Sequence, residues 1–141
     1  MPVPLLIDSG FLYALFDTDD RYHKAVTTVA ETQGGAAIVP DVTLVEVMFL
    51  ARRAGGTAAA IQFLEFFKQA PFELEALLKQ DIDRASELMV TYADVSLDFV
   101  DTCIIAIAER LDIRRVGTID RRDFLIVRPT HCNHLELLPP N

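Results

Sequence analysis

The segment from Asp98 to Asp120, DFVDTCIIAIAERLDIRRVGTID, restricts the fold of this chain more than any other. Val100, Cys103, Ile104, Ile107, Ala108 and Leu111 fall at i, i+3, i+4, i+7, i+8 and i+11, the apolar stripe of an amphipathic helix. Ile105 and Ala106 on the other side are apolar too, so this helix is expected to be buried nearly all round. Asp98 and Asp101 stand in its first turn, three apart, on one face. Arg114 to Asp120 then reads as a short strand, Val116 to Ile119, that closes on an acid. A greasy helix opening on two carboxylates, followed by a strand ending on a third, calls for something that neutralises the acids.

The rest of the chain supplies the same kind of unit. Leu5-Leu6-Ile7 reads as a short buried strand running into Asp8-Ser9-Gly10, after which Phe11, Leu12, Leu15 and Phe16 follow a helical pattern. His23 to Thr32 forms a second helical pattern, stopped by Gly34-Gly35, and Ala36 to Val39 a second strand ended by Pro40. Thr43 to Ala54 predicts a helix with Leu44, Val47, Met48 and Ala51 on one side and Glu46 near its start. Gly55-Gly56 separates it from Thr57 to Gln69, a phenylalanine-rich helix. Phe72 to Ala76 alternates as a half-buried strand does, and Asp81 to Tyr92 predicts a helix with Ile82, Ala85, Leu88 and Met89 inward. Beyond Phe124 comes an irregular tail with a last apolar run, Leu135 to Leu138.

Short apolar strands alternating with helices predict an α/β domain, a three-layer α/β/α sandwich around a mainly parallel sheet, with residues 1–141 forming one domain. In such sheets ligands bind beyond the carboxyl ends of the strands, where the strand order reverses. Asp8 and Asp120 both follow strand patterns, while Glu46, Asp98 and Asp101 lie in first helical turns, so the fold is expected to bring all five to one edge.

Each acid also has an ordinary structural role open to it. Thr43-x-x-Glu46 fits a capping box. Asp98 suits an N-cap, and Asp101 the positive end of a helix. Asp8 and Asp120 suit turns. Together they are harder to explain that way, because two unit charges about 4 Å apart cost roughly 4 kcal/mol at an effective dielectric near 20. Clustered carboxylates raise one another's pKa values unless a cation sits among them. An all-oxygen set suits a hard ion, Mg²⁺ or Mn²⁺, rather than zinc. Such an ion activates water and offsets charge on a leaving oxygen in phosphodiester hydrolysis.

Composition narrows the alternatives. Lys and Arg number 13 against 21 Asp and Glu, a net charge of −8, which argues against a protein that grips nucleic acid by bulk charge and leaves room for local basic patches. A hydrophobic share of 51% with mean hydropathy +0.26 suggests apolar surface covered by a partner. No apolar run has the length of a membrane span, and the sequence opens without the charged and long apolar regions of a signal peptide. Cys103 and Cys132 give no disulfide framework, which points to a reducing cytoplasm. His131-Cys132-x-His134 offers three soft ligands where a structural zinc needs four, and it is read as tail.

Asp8-Ser9, Glu46, Asp98-Phe99-Val100-Asp101-Thr102 and Thr118-Ile119-Asp120-Arg121-Arg122-Asp123-Phe124 together resemble the PIN domain, in particular the VapC toxins of bacterial and archaeal toxin–antitoxin pairs. The resemblance runs from Leu5 to about Leu138. It implies a metal-dependent endoribonuclease using Mg²⁺ or Mn²⁺, an RNA substrate, a cognate antitoxin and a homodimer. Asp8, Glu46, Asp101 and Asp120 match the family's four acids, with Asp8 and Asp101 as direct ligands. Ser9 and Thr118 match hydroxyl positions that hold those carboxylates. Asp98 is a further acid or only the cap, and Asp123 is able to replace Asp120 at a second metal. Thr102 stands where the family often has alanine.

Arg52, Arg53, Arg114, Arg115, Arg121 and Arg122 suit the seating of RNA phosphates or a solvated charged edge. The phenylalanines of Ile61-x-Phe63-Leu64-x-Phe66-Phe67 read as core, with a spread over more than one face that hints at an interface. Two other functions compete. A phosphoryl-receiver domain needs a late lysine, and Lys24, Lys68 and Lys79 all come too early. A dehalogenase-type phosphatase wants a second aspartate where Gly10 stands. A PIN-like binding module without catalysis is the remaining alternative.

Overall fold

The computed structural model describes residues 3–141. Five strands form one parallel sheet in the order β3-β2-β1-β4-β5. They are β1 (Leu5–Ile7), β2 (Ala37–Pro40), β3 (Phe72–Glu75), β4 (Arg115–Gly117) and β5 (Glu136–Leu138). The helices between them are α1 (Ser9–Phe16), α2 (His23–Thr32), α3 (Asp41–Gln69), α4 (Lys79–Thr91), α5 (Phe99–Leu111) and α6 (Arg122–Ile126).

The pleat of β1 sorts them into layers. Leu5 and Ile7 face α1, α2 and α3, meeting Phe11, Leu12, Val26, Val47 and Phe63. Leu6 faces the other way, onto Leu88 of α4, Ile104 and Ile107 of α5 and Phe124 of α6. The expected three-layer sandwich is therefore present, with every strand pairing parallel. Helix α5 is enclosed on all sides as its sequence requires: Cys103 through Ala108 are all buried.

Several boundaries differ from the sequence reading. The segment Asp41–Gln69 is helical on both sides of Gly55 (φ −142°, ψ 19°) and Gly56 (φ 70°, ψ −160°), which leave helical geometry. The two expected helices are thus joined at a kink, and Gly56 takes a backbone that disfavours a side chain. Strand β4 stops at Gly117, not Ile119, although Thr118 still donates its N–H to Leu138 O (2.8 Å). The apolar run at the end is a fifth strand rather than irregular tail, because Val116 and Gly117 offer it a parallel edge at Leu137 and Leu138. A short helix, α6, precedes it.

Helix α4 is rotated from the expected face. Ile82 and Met89 are 43% and 38% exposed, whereas Asp81 is 2% exposed. Arg110 of α5 explains the turn. Its Nε and Nη2 reach both Asp81 carboxylate oxygens (2.9 and 3.0 Å), and Nη2 also donates to Glu75 (3.1 Å). A bidentate ion pair makes an acid acceptable where an apolar residue was expected.

Candidate active site

The chain runs outward from β1 to β3 on one side, then returns to place β4 on the other side of β1. The carboxyl ends of β1 and β4 therefore form the point where strand order reverses. Asp8 leaves β1 there and Asp120 follows β4. The Asp8 N–H donates to Gly117 O (2.9 Å), which extends the β1–β4 ladder right up to the acid. A cleft of about 430 Å³ opens at this edge. Asp8, Glu46, Asp98, Asp101, Asp120 and Asp123 all line it, with Ser9, Gly10, Leu50, Ser96, Ile119 and Arg122.

Asp8 caps α1: its Oδ1 accepts from the Phe11 N–H (3.0 Å). The residue is only 5% exposed. Burial pushes its carboxyl up to about 7, against the Phe11 and Thr118 hydrogen bonds, while Glu46 and Asp120 add repulsion. Asp101, in the first turn of α5, is pushed up to about 9, first by burial and then by Asp8, Asp98 and Asp123. Two acids that hold protons near neutrality mark a site short of positive charge.

Glu46 is not in a first turn. Helix α3 begins at Asp41, directly after Pro40, so Glu46 is its sixth residue and no capping box forms. The Thr43 hydroxyl instead donates to Ile7 O (3.3 Å), and the Ser9 hydroxyl donates to Glu46 Oε1. Asp120 is exposed, its main-chain carbonyl accepting from the Thr118 hydroxyl (2.9 Å) and its Oδ1 from the Arg122 N–H (3.3 Å). Asp98 is the N-cap of α5, accepting from the Asp101 N–H (3.1 Å). Asp123 is buried and accepts from the Asp98 N–H (2.9 Å) and Arg122 Nη1 (2.9 Å).

The arginines divide. Arg122 lines the cleft. Arg121 turns to the Leu137 and Pro139 carbonyls, and Arg52 to the Thr57 hydroxyl (3.3 Å). Arg53 is exposed on α3 and is not among the residues that line the cleft. Arg114 and Arg115 stand at the amino end of β4, the opposite edge of the sheet, beside Asp112 and Glu136. His131 Nε2 donates to Ile113 O (2.7 Å), away from the cleft. Ser96, with left-handed backbone (φ 52°), and Leu50 also line the site, and no sequence pattern marked them.

Among the described residues, no three His, Cys, Asp or Glu side chains already stand as a metal-holding shell. The acids share a cleft but several are engaged with Phe11, Ser9, Asp101, Asp98 and Arg122 instead. The donor set is nonetheless all oxygen and under-neutralised, with Asp8 and Asp123 buried, Glu46 and Asp101 half-buried and Asp98 and Asp120 exposed, and it fits a hard divalent ion better than a soft one. Beside the cleft, sharing Glu46 with it, lies a groove of about 770 Å³ walled by Val42, Val45, Phe49, Leu77 and Val100.

Comparison with known proteins gives a consistent result. Residues 5–128 match the model of the PIN domain. The chain is 25% identical over 135 residues to ribonuclease VapC26 of Mycobacterium tuberculosis, an alignment covering 96% of this chain and all of that protein. Among solved structures it is similar to M. tuberculosis VapC20, a toxin that cleaves the sarcin-ricin loop, with TM-score 0.75, 19% identity, and 83% and 90% of the two chains covered. It is also similar to a chain of the DNA-bound VapBC of Salmonella typhimurium, with TM-score 0.71, 12% identity, and 96% of each chain covered.

Proposed function

The chain belongs to the PIN domain family, and on that footing we propose that it is a metal-dependent endoribonuclease that hydrolyses RNA phosphodiester bonds as the toxin of a VapBC-type pair. One observation carries the reading. Acids from the end of β1, α3, α5 and the loop after β4 meet at the switch point of the sheet, and among the described residues the lining has no basic side chain except Arg122. A structural role for each acid does not require that they meet.

In this reading Asp8 and Asp101 hold Mg²⁺ or Mn²⁺ directly, with Glu46 and Asp120 completing the carboxylate set. When bound there, such an ion would supply an activated water and offset charge on the leaving oxygen. Ser9 steers Glu46 by its hydroxyl, and Thr118 fixes the loop that carries Asp120. Asp98 acts as the cap that sets the start of α5, and Asp123 ties that cap to α6. Neutral carboxyl groups at Asp8 and Asp101 must lose their protons for the ion to bind, so binding is expected to strengthen as pH rises.

The relatives named as VapC and VapBC support an antitoxin as partner, and the cytoplasm as place of action goes with that proposal. Among the described residues no helix is long and apolar enough to cross a membrane. Exposed Val45 and Phe49, in the groove beside the cleft, support a protein partner, antitoxin or second copy, that covers apolar surface.

The test is cleavage of RNA by the purified chain with Mg²⁺ or Mn²⁺. Activity should vanish with a chelator and in Asp8→Asn or Asp101→Asn. Cleavage that survives in both variants would remove the metal reading. A protein that binds Mn²⁺ but cuts no RNA would be a PIN-like binding module.

A further inference from the structure

Arg122 is the one cation among the residues lining a cleft that six carboxylates also line. Its Nη1 donates to Asp123 Oδ1 (2.9 Å), and its Nη2 to the carbonyl of Val95, so it bridges α6 to the loop that leads into α5. The guanidinium is 54% exposed whereas the Asp123 side chain is 5% exposed. An ion pair with one partner this open to water holds weakly, and the arginine end is free to leave.

We infer that Arg122 is an exchangeable arm, paired with Asp123 until a phosphodiester takes it over, and that this exchange couples RNA binding to cation binding at the acids. The inference rests on the nuclease reading. A phosphodiester entering the cleft meets six carboxylates, and among the described residues that line it Arg122 is the only one with a positive charge to offer. A guanidinium fork matches two phosphate oxygens, whereas here only one of its nitrogens reaches Asp123. Arg121 and Arg52 are turned to carbonyl and hydroxyl partners and do not line the cleft.

The exchange has a consequence for the acids. When Arg122 moves to phosphate, Asp123 keeps its Asp98 N–H but loses its counter-charge next to Asp101. The cleft becomes more negative and its demand for a divalent cation rises. By linkage, the cation must favour RNA binding by the same factor.

The experiment uses the full chain as wild type, Arg122→Ala, Arg122→Lys and, as a charge-matched control at the far edge of the sheet, Arg114→Ala. Mn²⁺ is titrated calorimetrically with and without a single-stranded 2′-O-methyl oligoribonucleotide, checked to be intact afterwards. In wild type and Arg114→Ala the oligonucleotide should tighten Mn²⁺ several-fold. Arg122→Ala should bind Mn²⁺ more tightly than wild type on its own, gain nothing from the oligonucleotide, and bind that oligonucleotide about ten- to hundredfold more weakly. Arg122→Lys keeps a cation for Asp123 but not the fork, so it should fold as wild type and fall between the two.

Wild-type oligonucleotide affinity and wild-type coupling in Arg122→Ala would overturn the inference and leave Arg122 as a tie between α6 and Val95. So would weaker Mn²⁺ binding in a folded Arg122→Ala. If wild type binds Mn²⁺ and cuts RNA yet shows no coupling, the exchange alone is wrong. If wild type does neither, the nuclease reading falls and the exchange with it.

Discussion

Replacing Asp8 by Asn should stabilise the metal-free protein at neutral pH while abolishing its response to metal. The folded chain raises the Asp8 carboxyl from 3.8 to about 7, with burial as the main cause. Between those values the folded state keeps a proton that the unfolded chain has already released. Stability from this group is therefore whole below pH 4 and is lost as pH climbs through about 7. At about 1.36 kcal/mol per pKa unit the full shift sets a ceiling near ~4 kcal/mol. Relaxation and water entry at a cleft reduce that, and about 2 kcal/mol is the working figure.

Asn carries no charge to desolvate, and it caps a helix as well as Asp does, so the Phe11 N–H keeps its acceptor. In the presence of a chelator Asp8→Asn should match wild type near pH 4 and melt about 4–8 °C higher at pH 7.5. Adding Mn²⁺ at about a hundred times its dissociation constant should raise wild type by about 2.7 kcal/mol and leave the variant unmoved, reversing the order. The measurement is thermal melting by circular dichroism from pH 4 to 8. A variant less stable than wild type at pH 7.5 in chelator, or a difference that does not change with pH, would refute the account of Asp8.

Four further outcomes follow from named contacts. Metal-free wild type should lose stability steadily from about pH 4 towards pH 9, because Asp101 extends the window that Asp8 opens; a flat profile by urea titration would count against the shared acid site. Arg110→Ala should cost about 3–5 kcal/mol by leaving Asp81 buried without its partner, and Arg110→Ala with Asp81→Leu should recover much of that in the same titration. Gly117→Val should destabilise by about 1–3 kcal/mol, since a Cβ there comes within 2.9 Å of the Phe11 ring, and should lower activity by displacing the Asp8 N–H that bonds to Gly117. Ser9→Ala should weaken Mn²⁺ binding about tenfold with little change in melting temperature, as Glu46 loses the hydroxyl that donates to its Oε1.

Some parts of this architecture were readable in the sequence because one physical pattern governs them. Helix α5 is apolar all round, and its burial follows from that alone. The interruption of helix at Gly55-Gly56 and the strand of Phe72 to Glu75 follow from glycine geometry and alternation, although the two helices are joined at a kink and not separated. The convergence of the acids was readable once the sheet was parallel, since strand ends and helix starts then share an edge. What failed depended on distant partners. Nothing near Asp81 says that Arg110, which lies 29 positions on, will bury it and roll Ile82 and Met89 outward. Strand β5 needs the free edge of β4, and the Thr43–Glu46 pattern looked like a cap only because the start of α3 at Asp41 was not visible.

The acids also show why a structural role and a functional role need not compete. A carboxylate has two oxygens with several lone pairs, and a helix cap uses one of them. Asp8 gives Oδ1 to Phe11, and the same residue still lines the cleft, so the cap uses only part of the carboxylate's accepting capacity. Asp101, Asp98 and Asp123 form a chain of the same kind: the Asp101 N–H holds the Asp98 carboxylate, and the Asp98 N–H holds that of Asp123. Such bonds orient the acids before any ion arrives, at the cost of crowding negative charge. The two contributions separate in one comparison. Asp8→Asn removes the charge and keeps the cap, whereas Asp8→Ala removes both and should lie about 1 kcal/mol below it at every pH. If alanine and asparagine prove equally stable, the cap contributes nothing, and the orientation of Asp8 must come from burial alone.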